Sequence, residues 1–285
     1  MPTPRFAIAA SIYAILAASF NEAFAQPAVA PSTPDTITIE IPGSVVSYPL
    51  APVTLPDGRT LLVGVTEVPW DLYDVFVYAL DEPDPARPRD ADVVTRPTKP
   101  YMNMDRGWGH AGFPAFGMSH RAATAFCAWL SHKTGRTFRL PTSDEFDSLC
   151  ALASSESATP LGDRAWHAGS ADAKTHPVAS LAPDALGLHD LAGNVGEWCD
   201  GPDAKPIVRG GSYLEPLDQL TCSFTQLPHR KWNATDPQIP KSKWWLSDCT
   251  WVGLRVVCDP NTTLQPAPAD PPISPDDGSP APAGS

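Results

Sequence analysis

Basic residues are scarce in this 285-residue sequence, in which 20 lysines and arginines face 32 aspartates and glutamates for a net charge of −12. Nucleic-acid binding needs a basic surface, so this balance argues against it. The six cysteines show no CxxC spacing, which disfavours a zinc site and a thioredoxin-like redox site. No apolar run after the N-terminal segment is long enough to span a bilayer, and no internal repeat is found. The length suits one large or two small globular domains.

The N-terminal segment has the pattern of a secretory signal. Arg5 precedes a mostly apolar run over residues 6–20, and Ala23, Phe24 and Ala25 form a small-x-small cleavage site. We therefore predict a signal peptide over residues 1–25, cleaved after Ala25, with an uncleaved anchor as the alternative. The mature protein would be periplasmic or secreted, with no stable membrane span. Its even number of cysteines predicts disulfides, although six cysteines allow fifteen pairings.

Proline content and the periodicity of apolar residues divide the chain into a lead-in, a structured middle part and a tail. Residues 26–36 form a flexible lead-in, and the Pro/Ala/Asp-rich residues 259–285 a disordered tail. Between them we expect strands within 37–50, 61–65, 137–140, 207–213 and 252–257. Helices are expected from Pro69, over residues 119–134 and from the capping box at 142–145. Residues 82–100 and 154–186 read as loops. Few helices, short strands and long loops predict an α+β fold with little regular structure.

Residues 187–198 (GLHDLAGNVGEW) hold three glycines and a carboxylate pair in a short stretch. Gly193 and Asn194 indicate a tight turn because both tolerate left-handed backbone angles. Asp190 and Glu197 flank that turn and could converge with its carbonyls on calcium, a hard cation that prefers oxygen ligands. The alternative is a plain turn whose acids accept hydrogen bonds from backbone amides.

Four segments, taken together and in order, resemble the formylglycine-generating enzyme (sulfatase-modifying factor) family. They are residues 65–68 (VTEV); residues 122–130 (AATAFCAWL) with 139–146 (RLPTSDEF); residues 187–198; and residues 209–213 (RGGSY) with 252–257 (VGLRVV). The resemblance implies one C-type-lectin-like domain over residues 37–258. It also implies a structural calcium ion held by the side chains of Asp190 and Glu197 and the carbonyls of Gly193 and Val195.

The same resemblance implies how the cysteines pair. By position, the family's disulfides become Cys127–Cys258 and Cys150–Cys222. Cys199 and Cys249 are then left for a third bridge, or remain free.

The copper ligands of the family are missing. Formylglycine-generating enzymes hold copper(I) on two cysteines after the glycine turn, and the matching positions here are approximately Glu215 and Leu220. A carboxylate and an aliphatic side chain cannot replace two thiolates on a soft metal, so copper is not expected. Glu215 is a candidate acid or base if any catalysis survives, and a solvated loop glutamate otherwise.

A second candidate region is the irregular stretch 226–251, which is basic and aromatic on an acidic chain. Its binding candidates are Trp232, Trp244, Trp245 and His229, and the alternative is that the tryptophans cover a small core. We therefore expect a monomeric binding or accessory module in the bacterial envelope, whose partner is a protein, a peptide or a secreted metabolite. The alternative is a divergent oxidase or maturation enzyme of the same family.

Overall fold

The computed structural model describes residues 36–81, 103–155 and 157–263, with side chains up to residue 260. The predicted signal peptide, the lead-in up to residue 35, the predicted loop over residues 82–100 and the tail beyond residue 263 lie outside these residues. Within the described ranges, no helix is long and apolar enough to cross a membrane.

Three α-helices lie in the described part of the chain, where the sequence predicts them. They are α1 (Trp70–Tyr78), α2 (His120–Thr134) and α3 (Ser143–Ser155). Helix α2 begins where Ser119 accepts a hydrogen bond from the amide of Ala122, and it ends at Gly135, whose φ of 70° is the left-handed cap that glycine favours. Local capping residues therefore set the bounds of this helix.

The capping box at the start of α3 is also present. The Thr142 hydroxyl accepts from the amide of Glu145 at 3.2 Å, and the Glu145 carboxylate accepts from the amide of Thr142 at 3.0 Å. Glu145 also forms a bidentate ion pair with Arg139, at 2.6 and 2.8 Å, and receives Arg59 at 3.1 Å. These contacts fix α3 against the strand that precedes it.

The larger sheet has five antiparallel strands in the order β1-β2-β3-β8-β4. They are β1 (Ile37–Glu40), β2 (Ser47–Thr54), β3 (Thr60–Gly64), β4 (Arg136–Arg139) and β8 (Val257–Thr263). Alternate residues along a strand face opposite sides. Leu50 and Leu62 pack into the core that holds α1 and α2, whereas Ala51 and Val63 pack into the core that holds α3.

A smaller sheet has the order β6-β5-β7 and consists of β5 (Gly196–Asp200), β6 (Pro206–Arg209) and β7 (Val252–Gly253). The prediction of one strand over residues 252–257 is wrong, because this segment contributes to both sheets. Between β7 and β8 the chain buries Arg255, which forms an ion pair with Glu197 on β5. Strand β8 also runs to Thr263, past the predicted domain end at residue 258. The predicted α+β class with modest regular structure is confirmed.

Candidate functional site

The turn between Asp190 and Glu197 needs left-handed backbone angles. The φ values are 56° at Asp190, 84° at Gly193 and 48° at Asn194. A Cβ added at Gly193 would lie 2.2 Å from the carbonyl oxygen of Trp166, so only glycine fits there. The turn thereby carries Asp190 and Glu197 into the protein interior, where they are 3% and 1% exposed.

Each of these two carboxylates has one oxygen in use and one without a partner. Asp190 Oδ2 accepts a hydrogen bond from the amide of Ala179 at 2.8 Å. Glu197 Oε1 accepts from Arg255 Nε at 2.9 Å and Nη2 at 2.7 Å. Asp190 Oδ1 and Glu197 Oε2 are buried without a hydrogen-bond partner. Buried polar atoms without partners are rare, and a bound ion is one explanation for them.

Glu67, just before α1, is a third buried acid that joins this site. Its Oε1 accepts from the amide of Val195 at 2.9 Å, and its Oε2 accepts from Asn194 Nδ2 at 2.9 Å. The sequence marks Glu67 only as part of a family motif. Its contact with Asn194 could not be predicted, because 127 residues separate the two. Arg255 was missed for the same reason.

The three acids exceed the positive charge available to them. Burial raises the pKa of Glu67 well above its usual range, with Asp190 adding to the effect, and burial also raises the pKa values of Asp190 and Glu197. Burial alone would lower the pKa of Arg255, but the carboxylate of Glu197 raises it, so the guanidinium stays charged. One buried cation cannot compensate three ionised carboxylates, so the site favours either protons or a second cation.

The two buried acids have the donor chemistry that calcium prefers. The two carboxylate oxygens without partners are hard ligands, and the family resemblance implies the carbonyls of Gly193 and Val195 as their companions. Within the described ranges, no three or more His, Cys, Asp or Glu side chains are arranged to hold a metal ion, so backbone oxygens would have to complete the shell. Asp190, Gly193, Val195 and Glu197 would hold the ion, which would neutralise buried charge.

The glycine turn after β6 holds Glu215 in place. Gly210 and Gly211 have φ values of 84° and 70°. Glu215 Oε2 then accepts from the amide of Ser212 at 2.7 Å and from its hydroxyl at 2.8 Å, and Glu215 Oε1 accepts from Gln226 at 3.4 Å. The carboxylate thus stabilises the turn through hydrogen bonds within it.

The second family copper position, Leu220, is 4% exposed and packs under the turn. Its methyl carbon Cδ2 would lie 2.5 Å from a Cβ added at Gly211. A cavity of about 240 Å³ behind the turn is lined by Leu220, Cys150 and Cys222, and Glu215 is not among its lining residues. A hydrogen-bonded carboxylate and a packed aliphatic group do not fit copper(I).

The cysteines form one of the three expected bridges. Cys150 and Cys222 are joined, with their Cα atoms 5.4 Å apart. The structure contradicts the expected Cys127–Cys258 bridge, because both residues are buried free thiols. Cys199 and Cys249 are also buried free thiols, which is the alternative to a third bridge. Cys199 packs in the core that holds α3 and Cys249 in the core that holds α1 and α2, so these two lie in separate layers.

The four buried thiols are not poised for chemistry. Burial raises the pKa of each, to about 12 for Cys249 and above its ordinary value for the other three. A reactive or metal-binding cysteine needs a depressed pKa, since the thiolate is the nucleophile and the ligand. Their environment instead suits small apolar side chains of the core.

The four binding candidates of the tryptophan-rich stretch lie in three different environments. Trp245 is 3% exposed and packs on Trp70, with ring centroids 6.4 Å apart, so it belongs to the core. Trp244 is half-buried and carries the Arg121 guanidinium 4.9 Å above its ring. Trp232 is buried but lines a surface cleft, and the exposed His229 lines it too.

That cleft has a volume of about 440 Å³ and lies where α2, β5 and β6 approach the tryptophan-rich stretch. Its lining combines aromatic, proline and basic residues: Ser119, His120, Arg121, Trp198, Pro206, Pro228, His229, Arg230, Trp232, Lys243 and Leu246. Cavities of this size accommodate small-molecule ligands.

Part of the chain is similar in sequence to two bacterial protein kinases. Residues amounting to 40% of the chain are 27% identical, over 138 positions, to a serine/threonine-protein kinase Pkn1 of Chlamydia trachomatis, and 31% identical to the pkn1 kinase of Chlamydia pneumoniae. The matched part is 22% and 21% of those kinases, so the chain spans about a fifth of the length of the curated relatives it matches.

Solved structures are similar over most of the chain. The Treponema denticola variable protein 1 has a TM-score of 0.55 at 20% identity, covering 80% of this chain and 100% of that one. PvdO from Pseudomonas aeruginosa has a TM-score of 0.50 at 19% identity, covering 78% and 100%. At these identities the likeness establishes the fold. The sulfatase-modifying factor enzyme 1-like domain matches residues 61–258, and the chain therefore belongs to that family.

Proposed function

We propose that this protein is an exported family member that binds a ligand or partner in the bacterial envelope and does not make formylglycine by the copper–dithiolate route. The observation that carries the proposal is the donor set of the glycine turn. Glu215 is held by Ser212, and Leu220 is packed beneath the turn. Neither side chain supplies a soft ligand for copper(I).

No other thiol in the chain takes over that role. The one cysteine near the turn, Cys222, is bonded to Cys150, and the remaining four are buried with raised pKa values. The alternative, a divergent oxidase or maturation enzyme, would use Glu215 as acid or base. It is less favoured because that carboxylate already accepts two short hydrogen bonds within its own turn.

Export is supported by two independent features. The N-terminal segment has the pattern of a cleaved signal peptide, and Cys150–Cys222 is a disulfide, which persists in oxidising compartments such as the periplasm. We place the mature, monomeric protein in the periplasm or outside the cell. Structural calcium at Asp190 and Glu197 is part of the proposal, supported by their orphaned oxygens.

The test of the proposal is a copper(I) titration together with an assay on a peptide that carries the sulfatase cysteine motif. We expect no stoichiometric copper(I) binding and no formylglycine. A Glu215→Cys/Leu220→Cys variant is the positive control, since it restores two thiols at the matching positions. Formylglycine formation by the wild-type protein, lost in Cys222→Ser, would overturn the proposal.

A further inference from the structure

We infer that the cleft at the N-terminal end of α2 binds a small molecule that has an apolar body and an anionic group. This inference deepens the proposed binding role by giving its site a ligand class. Two properties of the cleft carry it: an apolar floor, and a basic rim that no carboxylate lines.

The floor is formed by Trp198 and Trp232, whose ring centroids are 5.8 Å apart. Trp198 is only 2% exposed, and its indole nitrogen donates to the carbonyl of Met118 at 3.0 Å, so it contributes apolar backing to the cleft and no free donor. Pro206 and Pro228 extend this surface at the wall. The planes of the two indoles are tilted by 56°, so the floor is apolar but uneven, and it favours an apolar ligand body that needs no hydrogen bonds there.

The rim is positively charged on a protein whose net charge is −12. Arg121, His229, Arg230 and Lys243 are exposed at the cleft, and no aspartate or glutamate lines it. His120 is the one basic lining residue with an ion-pair partner in the described part of the chain, Asp200 at 2.8 Å.

Several rim groups have hydrogen-bond donors available for an anion. The amide of Lys231 donates to His229 Nδ1 at 3.1 Å, which leaves Nε2 as the N–H donor of the ring. No hydrogen bond or ion pair occupies the Arg230 guanidinium or the Lys243 ammonium within the described ranges. The lining residues Ser119 and His120 belong to the start of α2, whose helix dipole adds to the positive potential. Charge complementarity therefore selects an anion.

The experiment compares two probes of equal shape by isothermal titration calorimetry: naphthalene-1-acetate, which is anionic, and naphthalene-1-acetamide, which is neutral. We expect the acetate to bind about tenfold more tightly than the acetamide, because it gains charge-assisted hydrogen bonds at the rim. Raising the salt concentration should weaken binding of the acetate and leave that of the acetamide nearly unchanged.

The variant Arg230→Ala/Lys243→Ala places the effect in the cleft. Both side chains are exposed, so the fold should be retained, and near-UV circular dichroism checks that it is. We expect about tenfold weaker acetate binding, whereas Lys174→Ala, a charge-removing control outside the cleft, should bind like the wild type. Equal affinities for the two probes, no binding of either, or an unchanged acetate affinity in the double variant would overturn the inference. The copper and peptide assays are independent of this result, so failure of the ligand class is distinguishable from failure of the proposed function.

Discussion

Replacing Arg255 with methionine should destabilise the folded protein, because it removes the buried cation that compensates Glu197. The guanidinium donates to Glu197 through Nε and Nη2, to the Gly64 carbonyl at 2.8 Å and to the His189 carbonyl at 2.7 Å, and Arg255 is 1% exposed. Methionine fills similar volume but leaves Glu197 without its cation. Breaking a buried ion pair from one side costs about 3–5 kcal/mol, so we expect a loss of that size at pH 7.

The assay is urea unfolding at pH 7, with excess calcium and with a chelator. Adding Glu197→Gln to Arg255→Met should recover part of the loss, because the stranded charge is removed. Calcium bound at Glu197 would also compensate that charge, so the loss should be smaller with calcium present. The exposed Arg230→Met is the control and should lie within about 0.5 kcal/mol of the wild type. A cost below about 1 kcal/mol, or no recovery in the double variant, would refute the reasoning.

Substitutions at Glu145, at the disulfide and at Glu197 should each have a measurable effect on stability. Arg139 and neighbouring donors outweigh burial and lower the pKa of Glu145 from 4.5 to about 2, so its contribution is present above pH 4.5 and lost as pH falls toward 2. Glu145→Gln should therefore cost about 2–3 kcal/mol at pH 7 and about half of that near pH 3, and a cost independent of pH in urea unfolding would contradict this. Cys150→Ala/Cys222→Ala should lower the unfolding free energy by about 2–4 kcal/mol, since the bridge closes a loop of 72 residues, and non-reducing peptide mapping of the wild type should find no other linked pair. Glu197→Ala should lower the melting temperature and abolish its dependence on calcium, whereas identical wild-type melting curves with calcium and with chelator would return the stretch to a plain turn.

Local rules predicted the helices well because their determinants are close in sequence. Ser119 and Gly135 cap α2 at its two ends, and Thr142 and Glu145 cap α3 within one turn. The strand pairs β1–β2 and β2–β3 were equally accessible, since each is joined by a short turn.

The candidate site was only partly predictable, because its energetics depend on distant residues. The glycine turn and its two acids are visible in residues 187–198, but Arg255 reaches Glu197 across 58 residues and Glu67 reaches Asn194 across 127. The same long-range pairing divides residues 252–257 between two sheets, which periodicity of apolar residues within the segment does not reveal. Burial of Trp245 in the core depends likewise on α1 lying beneath it.

The position of β8 has a consequence for the timing of folding. This strand lies between β3 and β4 in the five-stranded sheet, yet it is the last strand of the described residues. All the other described strands are therefore synthesised before the sheet can close. Until then, β3 and β4 expose unpaired backbone edges. In the exported protein that we propose, the larger sheet would therefore stay incomplete until residues 257–263 have crossed the membrane.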